Sequence, residues 1–238
     1  LVHAGNNKAF KASKVEGTIS DTIYTDLFDA FESKSQGDNY DVFEIPAAAI
    51  GDGMTLTDID GDSTTNCDKE YCVLTQFEDE TELTIGEGFQ CNGKGLIIVE
   101  GNVTINPNFM NNAPDSACII LASGDIIITS GENVVGTPGY DQIQAFLIAE
   151  DKIIINEETV VESDRDGLIV EGGLIAIANG EELGGSGSIE NYRNIHFSNL
   201  QLKPVIFVKA RSKYGILGKA MFGSQVDIFK TELGFKPY

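Results

Sequence analysis

The chain has 238 residues, with 37 Asp/Glu against 16 Lys/Arg and a formal net charge of −21; 42% of its residues are hydrophobic, enough for one sizeable core. That charge excludes a nucleic-acid binder that works by neutralising phosphates and repels an anionic membrane surface. No apolar run approaches the ~18 residues needed to span a bilayer, and 26 glycines without a single tryptophan favour a turn-rich β protein.

Leu1 leads straight into polar sequence, with neither a signal-peptide pattern nor an initiating Met, as expected of a processed chain. From Asp21 to Phe31 the apolar residues Ile23, Leu27, Phe28 and Phe31 recur at helical spacing, with Ser20 or Asp21 as N-cap. Residues 32–94 read as irregular and acidic. Within them Asp58, Asp60 and Asp62 form a D-x-D-G-D loop, with Asp52 just before it. Alternate carboxylates on a tight turn converge on one point, where a hard cation relieves their repulsion, so calcium is the expected occupant. The twelve-residue EF-hand pattern is not met, because Lys69 stands where its final Glu belongs. Four cysteines, Cys67, Cys72, Cys91 and Cys118, point to an oxidising exterior. Cys67 and Cys72 flank a four-residue polar loop and are expected to close it as a disulfide; Cys118 lies in an apolar run and reads as a buried thiol.

Internal repetition dominates the middle of the chain. Segments 95–106, 118–129, 145–156 and 166–177 each hold an apolar run, a corner of acidic, glycine or polar residues, and a second apolar run. A period of 21–27 residues with β-branched runs predicts an all-β fold, a right-handed parallel β-helix. The expected inward columns are Ile97, Ile120, Leu147, Leu168 and Val99, Ala122, Ala149, Val170. Past the corner they are Val103, Ile126, Ile153, Leu174 and Ile105, Ile128, Ile155, Ala176. Ile98, Leu121, Ile148 and Ile169 face outward on this register and are apolar too, so something covers them: the N-terminal helix or a neighbouring subunit. Glu100, Glu150 and Glu171 share one corner, with Ser123 in the remaining rung.

Three regions follow: an N-terminal helical cap with acidic loops at 1–84, a coil core at 85–185, and a basic C-terminal extension at 186–238. Residues 1–192 hold 8 Lys/Arg and 35 Asp/Glu, net −27, whereas 193–238 hold 8 Lys/Arg and 2 acids, net +6. Lys203, Lys209, Arg211 and Lys213 belong to that extension, which is read as further β structure or a docking arm; its charge can draw another copy head to tail or fold the basic end over the chain's own acidic body.

No catalytic constellation emerges. Asp164-Arg165-Asp166 reads equally well as a loop ion pair, His196 stands alone, and the nucleophile, phosphate-loop and zinc motifs are missing, so no enzyme is expected. The runs Cys91–Asn106, Ala117–Asp125 and Asp166–Gly173 resemble uncharacterised surface-associated β-helix domains of candidate-phyla (Patescibacteria-type) bacteria. The resemblance covers about 85–185 and implies a secreted or envelope-anchored setting, with no catalytic residues to transfer. The expectation is an extracellular, structural, self-associating protein that forms a filament or layer through its basic tail and outer rung faces. The alternatives are a calcium-bearing adhesin or glycan-binding module, then a polysaccharide lyase or hydrolase.

Overall fold

A computed structural model describes residues 23–45, 49–56, 67–76, 82–129, 140–155, 167–176, 189–193 and 206–223. Helix α1 (Ile23–Ser35) comes first. A coil of short strands follows. Strands β1 (Tyr40–Glu44) and β2 (Ala49–Ile50) open it. Next come β3 (Tyr71–Gln76), β4 (Leu83–Ile85) and β5 (Gln90–Cys91), then β6 (Lys94–Val99), β7 (Val103–Ile105) and β8 (Met110–Asn111). The path repeats as β9 (Ala117–Ala122), β10 (Ile126–Ile128) and β11 (Tyr140–Ile143), and as β12 (Ala145–Ala149), β13 (Ile153–Ile155) and β14 (Gly167–Glu171). Strands β15 (Gly173–Ala176), β16 (Ile189–Asn191) and β17 (Ile206–Lys209) complete it, and helix α2 (Ser212–Phe222) follows.

All pairings among the described residues are parallel. The first sheet runs β1-β3-β6-β9-β12-β15 and the second β2-β4-β7-β10-β13-β16; the third side carries β5-β8 and β11-β14-β17, joined by a Phe109–Ile143 bridge. The protein is a parallel β-helix, as the 21–27-residue period predicts. Strands at both ends belong to the coil, which therefore extends well beyond residues 85–185.

Period-2 alternation sends Ile97, Val99, Ile120, Ala122, Leu147 and Ala149 into a solvent-free interior. Like residues stack on like, with Ile97 opposite Ile120 and Ile126 between Val103 and Ile153. Corner side chains tie one coil to the next. The Asp125 N–H donates to Asn102 Oδ1 at 2.8 Å, and the Lys152 N–H to Asp125 Oδ1 at 2.9 Å. The Gly101 N–H donates to Ser123 Oγ at 2.8 Å.

The fourth sequence repeat is out of phase with the other three. Its first run, β14, lies on the third side opposite β11, and its second run, β15, returns to the first sheet opposite β12. Leu147 therefore meets Leu174 rather than Leu168, and Ala149 meets Ala176 rather than Val170. Ile153 and Ile155 meet Ile189 and Asn191. Two apolar runs around an acidic, glycine-bearing corner look the same whichever corner of the coil they flank. Gly172 makes the sharp bend here, with φ 150°, and a side chain on it would collide with the Ala145 carbonyl.

The outer face of the first sheet is covered from within the chain. Tyr24, Leu27 and Phe31 of α1 and Tyr214, Leu217, Met221 and Phe222 of α2 bury Val73, Leu96, Ile98, Ile119, Leu121 and Ile148. Residues Tyr214–Phe222, expected as β structure or a docking arm, are helical instead. Tyr214, Leu217, Gly218 and Met221 line one face at spacings of three and four, and burial of that face outweighs the low helix propensity of Gly215 and Gly218. Hydrogen bonds fix the helix in place: Tyr40 Oη donates to the Ala220 carbonyl at 2.9 Å, and Asn111 Nδ2 to Tyr214 Oη at 3.0 Å.

Candidate functional site

The predicted assembly surface is used inside the chain. Ile98, Leu121 and Ile148 have no exposed surface beneath the two helices, so they offer nothing to a neighbour. Ile169 is not part of that column. It stands on the third side between Gln142 and Phe207, and is half-buried. The basic residues are also engaged at home. Lys209 Nζ lies 2.8 Å and Arg211 Nη2 3.1 Å from Glu171 Oε1, and Lys213 Nζ donates to the Ser116 carbonyl at 2.6 Å. Lys203 lies outside the described residues. The described part of the extension thus supplies two strands of the coil, β16 and β17, and one half of its cover.

Glu171 consequently leaves the acidic corner to which its sequence register assigned it. That register placed β14 one corner too far along the coil, and Glu171 in fact pairs with Lys209 across β14 and β17. Hydrogen bonds from Lys209 and Arg211 hold its carboxyl below the usual 4.5. A depressed carboxylate stabilises the fold above its unfolded pKa, and that contribution disappears as pH falls through the folded value. Acidification through and below pH 4.5 is therefore expected to lower the protection of the Ile206–Lys209 amides, measured as exchange relative to the intrinsic rate at each pH. Glu171→Gln should show the lowered protection already at neutral pH, with no further acid dependence from this pair.

Glu100 and Glu150 do share a corner, with Ser123 between them. Burial, then Glu100 and Glu150, push the Tyr24 phenol of α1 far above its ordinary range, so it stays protonated there. Of the proposed calcium ligands, Asp58, Asp60 and Asp62 lie outside the described residues, as do Asp164, Asp166 and His196. Asp52 is described, and its Oδ1 accepts the Glu87 N–H at 2.8 Å, stapling one corner to the next. Among the described residues no group of three or more His, Cys, Asp or Glu side chains converges to hold a metal.

Both cysteine pairs lie within disulfide distance. Cys67–Cys72, expected from sequence, has Cα atoms 5.4 Å apart; Cys91–Cys118 has them 6.1 Å apart. Cys118 is therefore not a free buried thiol, and no described cysteine is. The Cys91–Cys118 bridge lies inside the coil and crosses from β5 to β9. Gly95 leaves the room for it: a methyl group there would meet Cys118 Sγ and Leu56 Cδ2 at 2.7 Å.

A buried ion pair went unseen in the sequence. Asp141 shares its inward-facing register with Ile143 on β11, and is 7% exposed; Arg193, just past β16, is 5% exposed. Arg193 Nη1 donates to Asp141 Oδ2 at 2.6 Å and to the Gly167 carbonyl at 3.3 Å, while Nη2 donates to the Thr129 carbonyl at 2.6 Å. One guanidinium thus binds two successive coils, through Thr129 and Asp141 of one and Gly167 of the next.

Among the described residues, the large apolar side chains that remain exposed are concentrated at the coil ends. Val42 on β1 and Val208 on β17 are each 47% exposed, Tyr192 beside β16 and Phe207 on β17 are exposed as well, and Ile216 on α2 is the exception. The two ends differ inside. Ile45, Ile50 and Leu56 at the first end are buried, whereas Leu174, Ala176, Ile189 and Ile206 at the last end are only partly covered. Among the described residues no helix is long and apolar enough to cross a membrane.

No family model matches this chain, and no curated protein or solved structure matches it either.

Proposed function

We propose that the protein is an extracellular structural module, a rigid cross-linked rod without catalytic function whose copies meet end to end. The observation that carries this reading is the location of the exposed large apolar side chains among the described residues: all but Ile216 of α2 stand at the first and last coils. Among the described residues, β15, β16 and β17 are the outermost strands at the last coil, and β1 and β2 at the first. Because every pairing is parallel, one end continues the sheets that the other begins, a head-to-tail contact that propagates into rods. The two cysteine pairs and the resemblance of residues 85–185 to bacterial surface domains support the extracellular setting.

Sedimentation velocity across a concentration series tests the reading. Elongated oligomers that grow with concentration are expected for the full chain. Val208→Lys places a charge on the last coil and should hold the protein monomeric with its melting temperature little changed. A wild-type chain that stays monomeric throughout, with or without calcium, contradicts it.

A further inference from the structure

We propose that the Cys67–Cys72 pair is a thiol–disulfide exchange site, with Cys67 as the sulfur that an external dithiol attacks. The inference is independent of end-to-end assembly and rests on how the four cysteines divide by access. Cys91 and Cys118 have no exposed surface, and both belong to the packed interior. Cys72 is also interior, at 3% exposure, but Cys67 is only partly buried, at the start of a loop whose Asp68, Lys69 and Glu70 are all exposed. Exchange requires a thiolate to reach one sulfur in line with the bond it breaks, so access selects both the bond and the sulfur.

The step balances with a dithiol as the only co-reactant. Its thiolate bonds to Cys67 Sγ, the Cys67–Cys72 bond breaks, and the electron pair leaves on Cys72 Sγ, which takes up a proton. The second thiolate of the reductant then displaces Cys67 as a thiol. The cystine is reduced to two thiols and the dithiol is oxidised to its disulfide. The internal Cys91–Cys118 brace is left intact, so the coil survives the reaction.

The short loop between Cys67 and Cys72 clamps the first strand of the coil. The Lys69 N–H donates to Asp41 Oδ2 at 2.9 Å, Lys69 Nζ donates to the Tyr40 carbonyl at 2.8 Å, and the Tyr71 N–H donates to the Asn39 carbonyl at 3.1 Å. On the other side Glu70 meets Lys94 of β6 at 2.6 Å. Opening the bond removes the covalent constraint on this clamp, and so loosens β1, the edge strand of the first sheet.

Dithiothreitol added to the native full chain, with timed acid quenching and alkylation in denaturant, reads all four thiols by peptide mass. Cys67 and Cys72 are expected to be reduced at least about tenfold faster than Cys91 and Cys118. Equal rates, the reverse order, or no reduction before unfolding would each overturn the proposal. Two single variants identify the attacked sulfur. The thiol left at Cys67 in Cys72→Ser should react with an aromatic disulfide reagent about tenfold faster than that left at Cys72 in Cys67→Ser; equal rates overturn the assignment to Cys67. Reduction should also speed amide exchange at Lys69 and Tyr71, and unchanged exchange there removes the loosening of β1.

Discussion

Replacing Arg193 with alanine is expected to cost about 3–5 kcal/mol of folding stability, the range found when one partner of a buried ion pair is removed. The loss exceeds that of a surface pair because the buried Asp141 carboxylate would lose the guanidinium it is packed against, and the Thr129 and Gly167 carbonyls would lose that donor. Asp141→Asn should cost less than Arg193→Ala, since the amide oxygen still accepts from the guanidinium. The double replacement Arg193→Met with Asp141→Leu should recover most of the loss, because two apolar groups leave no charge stranded. Urea denaturation of the four proteins checks the series, and a double variant no more stable than Arg193→Ala would contradict the assignment.

The second large effect belongs to the bridge inside the coil. The cysteines are 27 residues apart, and opening a loop of that size releases unfolded-state entropy worth about 3.5 kcal/mol. Cys91→Ala with Cys118→Ala should therefore lower the melting temperature much further than Cys67→Ala with Cys72→Ala, whose cysteines are only 5 residues apart. The smaller loop gives about 2 kcal/mol on the same reasoning. Calorimetry of the two double variants decides the order. The two bridges thus divide the work: the internal one holds the coil together, and the outer one is open to chemistry.

The coil was legible because its strands carry apolar residues on both faces at a regular interval. Ile97, Ile120 and Leu147 align both in the sequence repeats and in the structure, and their outward neighbours Ile98, Leu121 and Ile148 already required a cover. The nature of the cover was only half legible. The α1 residues Leu27 and Phe31 show a helical period, but two glycines mask the period of α2, so the larger share of the C-terminal cover passed for β structure. Helix α2 also explains why a charge count misleads. Lys209, Arg211 and Lys213 look like a free basic arm in one dimension, and a carboxylate or carbonyl from 38 to 97 positions away meets each of them only after folding. Residues Tyr140–Ile143 are too polar to read as a strand, which hid both the third side of the coil and the inward position of Asp141. The pairing of Cys91 with Cys118 depends on the coil stacking and has no local signal.

The ion pair between Lys209 and Glu171 offers the most direct test that the extension belongs to its own coil. Protein grown in ordinary and in ¹⁵N-labelled medium can be denatured, mixed in equal amounts, refolded and treated with a zero-length carbodiimide. Lys209 Nζ and Glu171 Oε1 are 2.8 Å apart, close enough to condense into an amide. Cross-linked peptide pairs carrying a single isotope throughout are the result expected of a chain that covers itself. Mixed-isotope pairs making up half of the product would show that the strand and helix cross to a neighbouring copy, and the self-covered coil would be wrong.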